Sequence, residues 1–200
     1  LWRIITSGKA SAVPGNALPR AGDKKIFGAS GMGNLKSRRD DQGPSGSGGA
    51  MTEIFFYHLR RQPIENVLPA LLEKSLERGW RAVVQAVSEE RIAALDAHLW
   101  TYRDDAFLPH GTARDGDAAL QPVLLTTGED NPNGAEVRFI IDGAAMPADA
   151  EKYQRLVLLF DGDDEEAVTA ARGRWRDAKL RGFVCTYWQC DEQGRWRQVD

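Results

Sequence analysis

The chain has 200 residues, with 26 Lys and Arg against 29 Asp and Glu, a formal net charge of −3; that balance excludes a protein that wraps nucleic acid by bulk charge and leaves only an indirect nucleic-acid role. Hydrophobic residues are 42% and charged residues 28%, which excludes collagen-like and wholly disordered chains. No apolar run reaches the ~18 residues of a membrane-spanning helix, so no membrane partner is expected, and two cysteines, Cys185 and Cys190, are too few for a disulfide scaffold, which makes a cytoplasmic setting the expectation.

Composition breaks near residue 50. Residues 1–50 carry 8 basic and 3 acidic side chains, a net of +5, so residues 51–200 carry 18 basic and 26 acidic, a net of −8. Ten of the 20 glycines fall in that first quarter, and the stretch 37–50 has no apolar period, so it reads as linker. Met51-Thr52-Glu53-Ile54-Phe55-Phe56 then reads as a start opening straight into a strand. The expectation is a disordered Gly/Ser/Arg-rich extension at 1–50, from a misassigned start, ahead of one domain at 51–200. Gly28 to Ser37 imitates a phosphate-binding loop, but Asn34 and Leu35 stand where the lysine must follow the second glycine, and no strand precedes it.

From residue 51 the pattern alternates. Ile54 to Leu59 predicts a strand. Leu68, Leu71, Leu72 and Leu76 recur at helical spacing in a helix that stops near Gly79. Trp80 to Val87 predicts a second strand, and Ser88 caps a helix with the stripe Ile92, Leu95 and Leu99. Pro122–Thr126, Val137–Ile141 and Leu156–Phe160 are short apolar runs suited to strands buried on both faces. A last helix over about Asp164–Arg181 leads into a strand from Phe183 to Trp188. The alternation predicts an α/β fold, three-layered, with a mainly parallel sheet like that of nucleotide-binding folds.

That fold class often carries nucleotide chemistry, and its signals are missing here. The first strand runs into Arg60-Arg61-Gln62-Pro63-Ile64, with no glycine to admit a pyrophosphate. His58, His98 and His110 have no metal-ligand spacing and read as surface or capping residues. Cys185 and Cys190 sit five apart, so they point to opposite faces of a strand. The acidic run Asp161–Glu166 is accounted for by helix capping and the macrodipole, with Asp163 and Glu166 at capping-box spacing. Asp142 follows an apolar strand without a partner readable in the sequence. No catalytic residue, metal site or cofactor is therefore expected.

Two surfaces remain. Arg172, Trp175, Arg176 and Lys179 stand at i, i+3, i+4 and i+7 and share one stripe of the last helix. One reading is a receptor for a short acidic peptide with an aromatic tip, the guanidinium groups holding carboxylates and Trp175 giving flat apolar area. The other is a solvated helix face, basic near its C-terminus to suit the dipole, with Trp175 turned partly into the core. Trp100 projects about 100° away from the core residue Leu99, and Phe107 sits in a polar loop ahead of Pro109. These two aromatics form either an exposed apolar patch or a loop packed onto its own domain.

In order and spacing, residues 51–200 resemble the chi subunit of the bacterial DNA polymerase III holoenzyme. The features are Phe55-Phe56-Tyr57 ending the first strand, Gly79 to Val84 entering the second, and Leu99-Trp100 followed by Phe107 and Pro109-His110. Arg172, Trp175, Arg176 and Gly182-Phe183 close the match. The resemblance implies a non-catalytic accessory subunit of the clamp-loader assembly, binding the acidic C-terminal tail of single-stranded DNA-binding protein. It implies a second contact to a small subunit, psi, or to a helicase. Tail binding carries over to Arg172, Trp175 (in place of a tyrosine) and Arg176, and the psi-facing aromatics to Trp100 and Phe107. A further basic family position, one turn earlier, is Val168 here, and the helical face makes Lys179 its substitute. The extension 1–50 and the tail from Cys190 depart from the family pattern. The alternative is a small α/β enzyme or nucleotide binder with a site built from loops.

Overall fold

From Glu53 onward strand and helix alternate as β1 (Glu53–Leu59), α1 (Ile64–Glu77), β2 (Ala82–Gln85), α2 (Glu89–Leu99), β3 (His110–Thr112), β4 (Val123–Thr126), β5 (Val137–Ile140), β6 (Arg155–Asp161), α3 (Glu165–Leu180), β7 (Val184–Cys190) and β8 (Trp196–Val199). These come from a computed structural model that describes residues 51–190 and 195–199; the expected extension 1–50 lies outside the described residues. The strands form one sheet in the order β3-β4-β2-β5-β6-β1-β7-β8. Every pairing is parallel except β7 with β8. This is the three-layer α/β architecture that the alternation predicts.

The two faces follow from the pleat. Along β1, Phe55, Tyr57 and Leu59 enter the core under α1 and α2, whereas Ile54 and Phe56 enter the core under α3. Helices α1 and α2 dock through Val67, Leu68, Leu72, Ile92, Leu95 and Leu99, all nearly inaccessible to solvent. Each such branched side chain contributes about 2 kcal/mol on burial. Helix α3 has only Ala171 and Ala178 fully buried. Its attachment to the sheet therefore depends on its half-buried residues, of which Trp175 is the largest.

Helix α1 carries Pro69 in its interior. Proline has no N–H to offer the carbonyl four residues back, which is that of Glu65. That carbonyl instead accepts a hydrogen bond from His98 Nε2 on α2, at 3.1 Å. A histidine thus satisfies the group that a proline orphans, and ties the two helices together. On β5, Arg138 is fully buried. Its guanidinium donates to Tyr153 Oη, to Gln85 Oε1 and to the backbone carbonyls of Gly128, Glu129 and Asp130. All these acceptors are neutral, and together they pin the turn after β4 to the sheet.

Several expectations need correction. His58 and His110 are buried, not surface residues. Asp142 has a partner after all, since Arg91 Nε lies 2.6 Å from its Oδ2 and also pairs with Glu65. The N-cap of α3 is Asp164, accepting from the N–H groups of Glu166 and Ala167. Asp163 accepts instead from Arg61 N–H, at 3.3 Å. Strands β3 and β8 have no counterpart in the expected elements. Cys185 and Cys190 do face opposite sides of β7, each against a different core.

Candidate partner-binding site

Helix α3 crosses the sheet over β6, β1 and β7, with its acidic first turn at one end and Lys179 in its last. Ala171 and Ala178 are the buried residues of the helix, and Trp175, between them in the chain, is half-buried. The Trp175 indole meets Phe56 edge-on at 5.1 Å and Tyr187 at 6.0 Å between ring centres. The Lys179 ammonium sits 5.1 Å from the centre of the Trp175 ring, within reach of a cation–π attraction. Arg172 and Arg176 are exposed on the same side of the helix. Trp175 is turned partly into the core, as one of the two sequence readings expects, while Arg172, Arg176 and Lys179 stand in solvent.

Beside Arg172 the surface opens into a cleft of about 370 Å³, lined by His58, Arg60, Gly162, Glu165, Val168, Thr169 and Arg172. Its position follows from topology. Strands β1 and β6 are parallel neighbours, but α1 leaves β1 toward one face and α3 leaves β6 toward the other, so the two connections part at the carboxyl ends of the strands. At the base, His58 Nδ1 and Tyr187 Oη share a hydrogen bond of 2.7 Å. Burial, followed by the charge of Arg60, holds the His58 imidazole below its ordinary pKa, and burial raises that of the Tyr187 phenol. Both are neutral at physiological pH, so the cations at the cleft are arginines. His58, Arg60 and Tyr187 were missed as site residues in the sequence. The only signal, two arginines directly after a strand, serves there as evidence against a phosphate loop.

The second surface lies at the far edge of the sheet. Trp100 is the C-cap residue of α2, and it is 58% exposed, with Phe107 at 73%. Their ring centres are 6.2 Å apart, and Trp100 rests on His110 at 4.9 Å. Nearby, Arg103 pairs with Glu73 and Asp105, and Tyr102 Oη donates to Glu73. These bonds fix the start of the loop to α1, while Phe107 stays in solvent. Of the two sequence readings, the geometry matches the exposed patch. Trp100 and Phe107 are far from Arg172, Trp175, Arg176 and Lys179, so the sequence-derived residues form two separate groups.

In sequence the chain is similar to known proteins. The chain is 27% identical over 121 residues to the probable DNA polymerase III subunit chi of Rickettsia prowazekii (strain Madrid E), covering 56% of this chain and 71% of that protein. It is 27% identical over 139 residues to the DNA polymerase III subunit chi of Pseudomonas aeruginosa (strain PAO1), covering 66% of this chain and 93% of that one. The family described as DNA polymerase III chi subunit, HolC, matches residues 51–186, a span that runs from the start of β1 into β7 and includes both aromatic and basic groups. The chain therefore belongs to the DNA polymerase III chi subunit family.

Proposed function

We propose that this chi-family protein is a non-catalytic adaptor that binds the acidic C-terminal tail of single-stranded DNA-binding protein on α3. Through Trp100 and Phe107 it holds a second partner, psi and the clamp loader or a helicase. The observation that carries the tail reading is a set of unneutralised cations on an acidic domain. Residues 51–200 have a net charge of −8, and Arg91, Arg103, Arg114, Arg155 and Arg181 all pair with carboxylates. Arg172, Arg176 and Lys179, by contrast, have no ion-pair partner among the described residues and share one helix with Trp175, whose ring Lys179 approaches. Such a stripe suits a ligand that brings its own carboxylates and an aromatic terminus.

Titration of a fluorescent acidic peptide ending in an aromatic residue with a free carboxylate tests this reading. Wild type binds in the micromolar range, about −8 kcal/mol, and the affinity falls as salt rises. Arg172→Ala, an exposed position, costs about 1–2 kcal/mol of affinity with the thermal midpoint unchanged. Equal affinity of wild type and Arg172→Ala removes the site, and no binding to wild type removes the function.

A further inference from the structure

Arg60 lines the same cleft as Arg172, from the strand side where Arg172 and Val168 line it from the helix side. Its side chain is exposed, and it has no ion-pair partner among the described residues. Both arginines disfavour charge on His58, which lines the cleft with them. On the helix, the basic stripe that runs back from Lys179 through Arg176 to Arg172 ends at Val168, one turn earlier.

The backbone at Arg60 is fixed from both sides. Leu59 O accepts from Gly162 N–H at 2.7 Å, and Arg61 N–H donates to Asp163 Oδ2. Arg61 has φ +51°, a left-handed conformation unfavourable for a residue with a side chain. A Cβ on Gly162 would stand 1.9 Å from His58 Nε2 and 2.5 Å from Leu59 O, so the close approach of the two turns needs glycine there. The chain accepts a strained residue and a glycine contact, and the outcome is an arginine held at the lip of a cleft.

We propose that Arg60 is a cation of the tail site, supplying across the cleft the charge that Val168 does not supply on the helix. The acidic peptide then passes from α3 over the cleft to the β1–α1 turn, with one of its carboxylates on Arg60, and does not lie along α3 alone. Glu165, which also lines the cleft, opposes such a ligand and weakens it. This inference rests on the tail reading.

The test uses the full chain, the same labelled acidic peptide, and Arg60→Gln, Arg172→Gln, Glu165→Gln and the double change Arg60→Gln with Val168→Lys. Arg60→Gln weakens binding about five-fold and lowers the salt dependence. Glu165→Gln tightens binding, and Val168→Lys, whose long stem can follow the helix surface, restores affinity lost with Arg60. The thermal midpoint of Arg60→Gln matches wild type, since the position is exposed, and that of Glu165→Gln falls only slightly, as a first-turn charge of α3 is lost. Undiminished binding by Arg60→Gln, alongside a loss in Arg172→Gln, overturns the role of Arg60 and leaves the tail reading standing. Failure of wild type to bind the peptide overturns both.

Discussion

At the scale of single residues, the partnership of Pro69 with His98 makes a sharp quantitative demand. If His98 serves the carbonyl that Pro69 leaves orphaned, its value depends on which residue stands at 69. His98→Ala costs about 1 kcal/mol in the natural background, the usual loss for a partly buried hydrogen bond. After Pro69→Ala the helix supplies its own N–H, so the same His98→Ala change costs less than half as much. Urea unfolding of the four proteins measures the coupling; equal costs in both backgrounds would disprove the compensation. Residues of this kind were hidden in the sequence, because His98 and the Glu65 carbonyl it meets lie 33 positions apart. Arg138 is a similar case. The run Val137–Ile141 reads as a strand buried on both faces and Arg138 is indeed fully buried, but the sequence does not show what receives its charge, because the turn at 128–130 closes over it with three carbonyls. Asp142 lacked a visible partner for the same reason, since Arg91 reaches it from another helix.

Elements were legible where local signals set their limits and obscure where pairing set them. Ser88 caps α2 as its position indicates, accepting from Arg91 N–H at 3.2 Å, and the short apolar runs became β4, β5 and β6 within a residue or two. Strand β3 is three residues long and β8 follows the reading frame of no apolar run; each exists because a neighbour supplies hydrogen-bond partners, information that lies elsewhere in the chain. The basic stripe of α3 was legible as a stripe, but the cleft beside it was not, because it needs β1 and β6 side by side. The tie between β1 and β7 at that cleft has a pH signature. His58 has its pKa lowered from 6.5, first by burial and then by Arg60, so the unfolded chain takes up the proton before the native state does. Stability from this group is complete above about pH 6.5 and declines as the pH falls below that value. Glu65, Glu90 and Asp115 have depressed pKa values and act only at lower pH. Denaturant unfolding between pH 7.5 and 5.5 therefore shows a loss in wild type that shrinks in His58→Gln, whose amide can still meet Tyr187. An equal loss in both would assign the pH dependence elsewhere.

Across the whole molecule, the order of the sheet acts as a ruler. Trp100 and Phe107 stand by His110, at the β3 edge, whereas α3 covers the opposite face over β6, β1 and β7. From β3 to β7 there are six strand spacings of about 4.8 Å, on the order of 29 Å, built from close-packed layers that do not stretch. The side chains of the two sites are thus too far apart to touch, and the charge on one is screened from the other beyond about 8–10 Å at ordinary salt. Occupancy of the two sites should be statistically independent. Saturating the patch with its partner leaves the peptide dissociation constant unchanged within error, a result calorimetry can check; a several-fold change would mean that the layers shift against one another. If the proposed pair of partners holds, independence of this kind lets either one release and rebind without dislodging the other, so contact persists through exchange at one end alone.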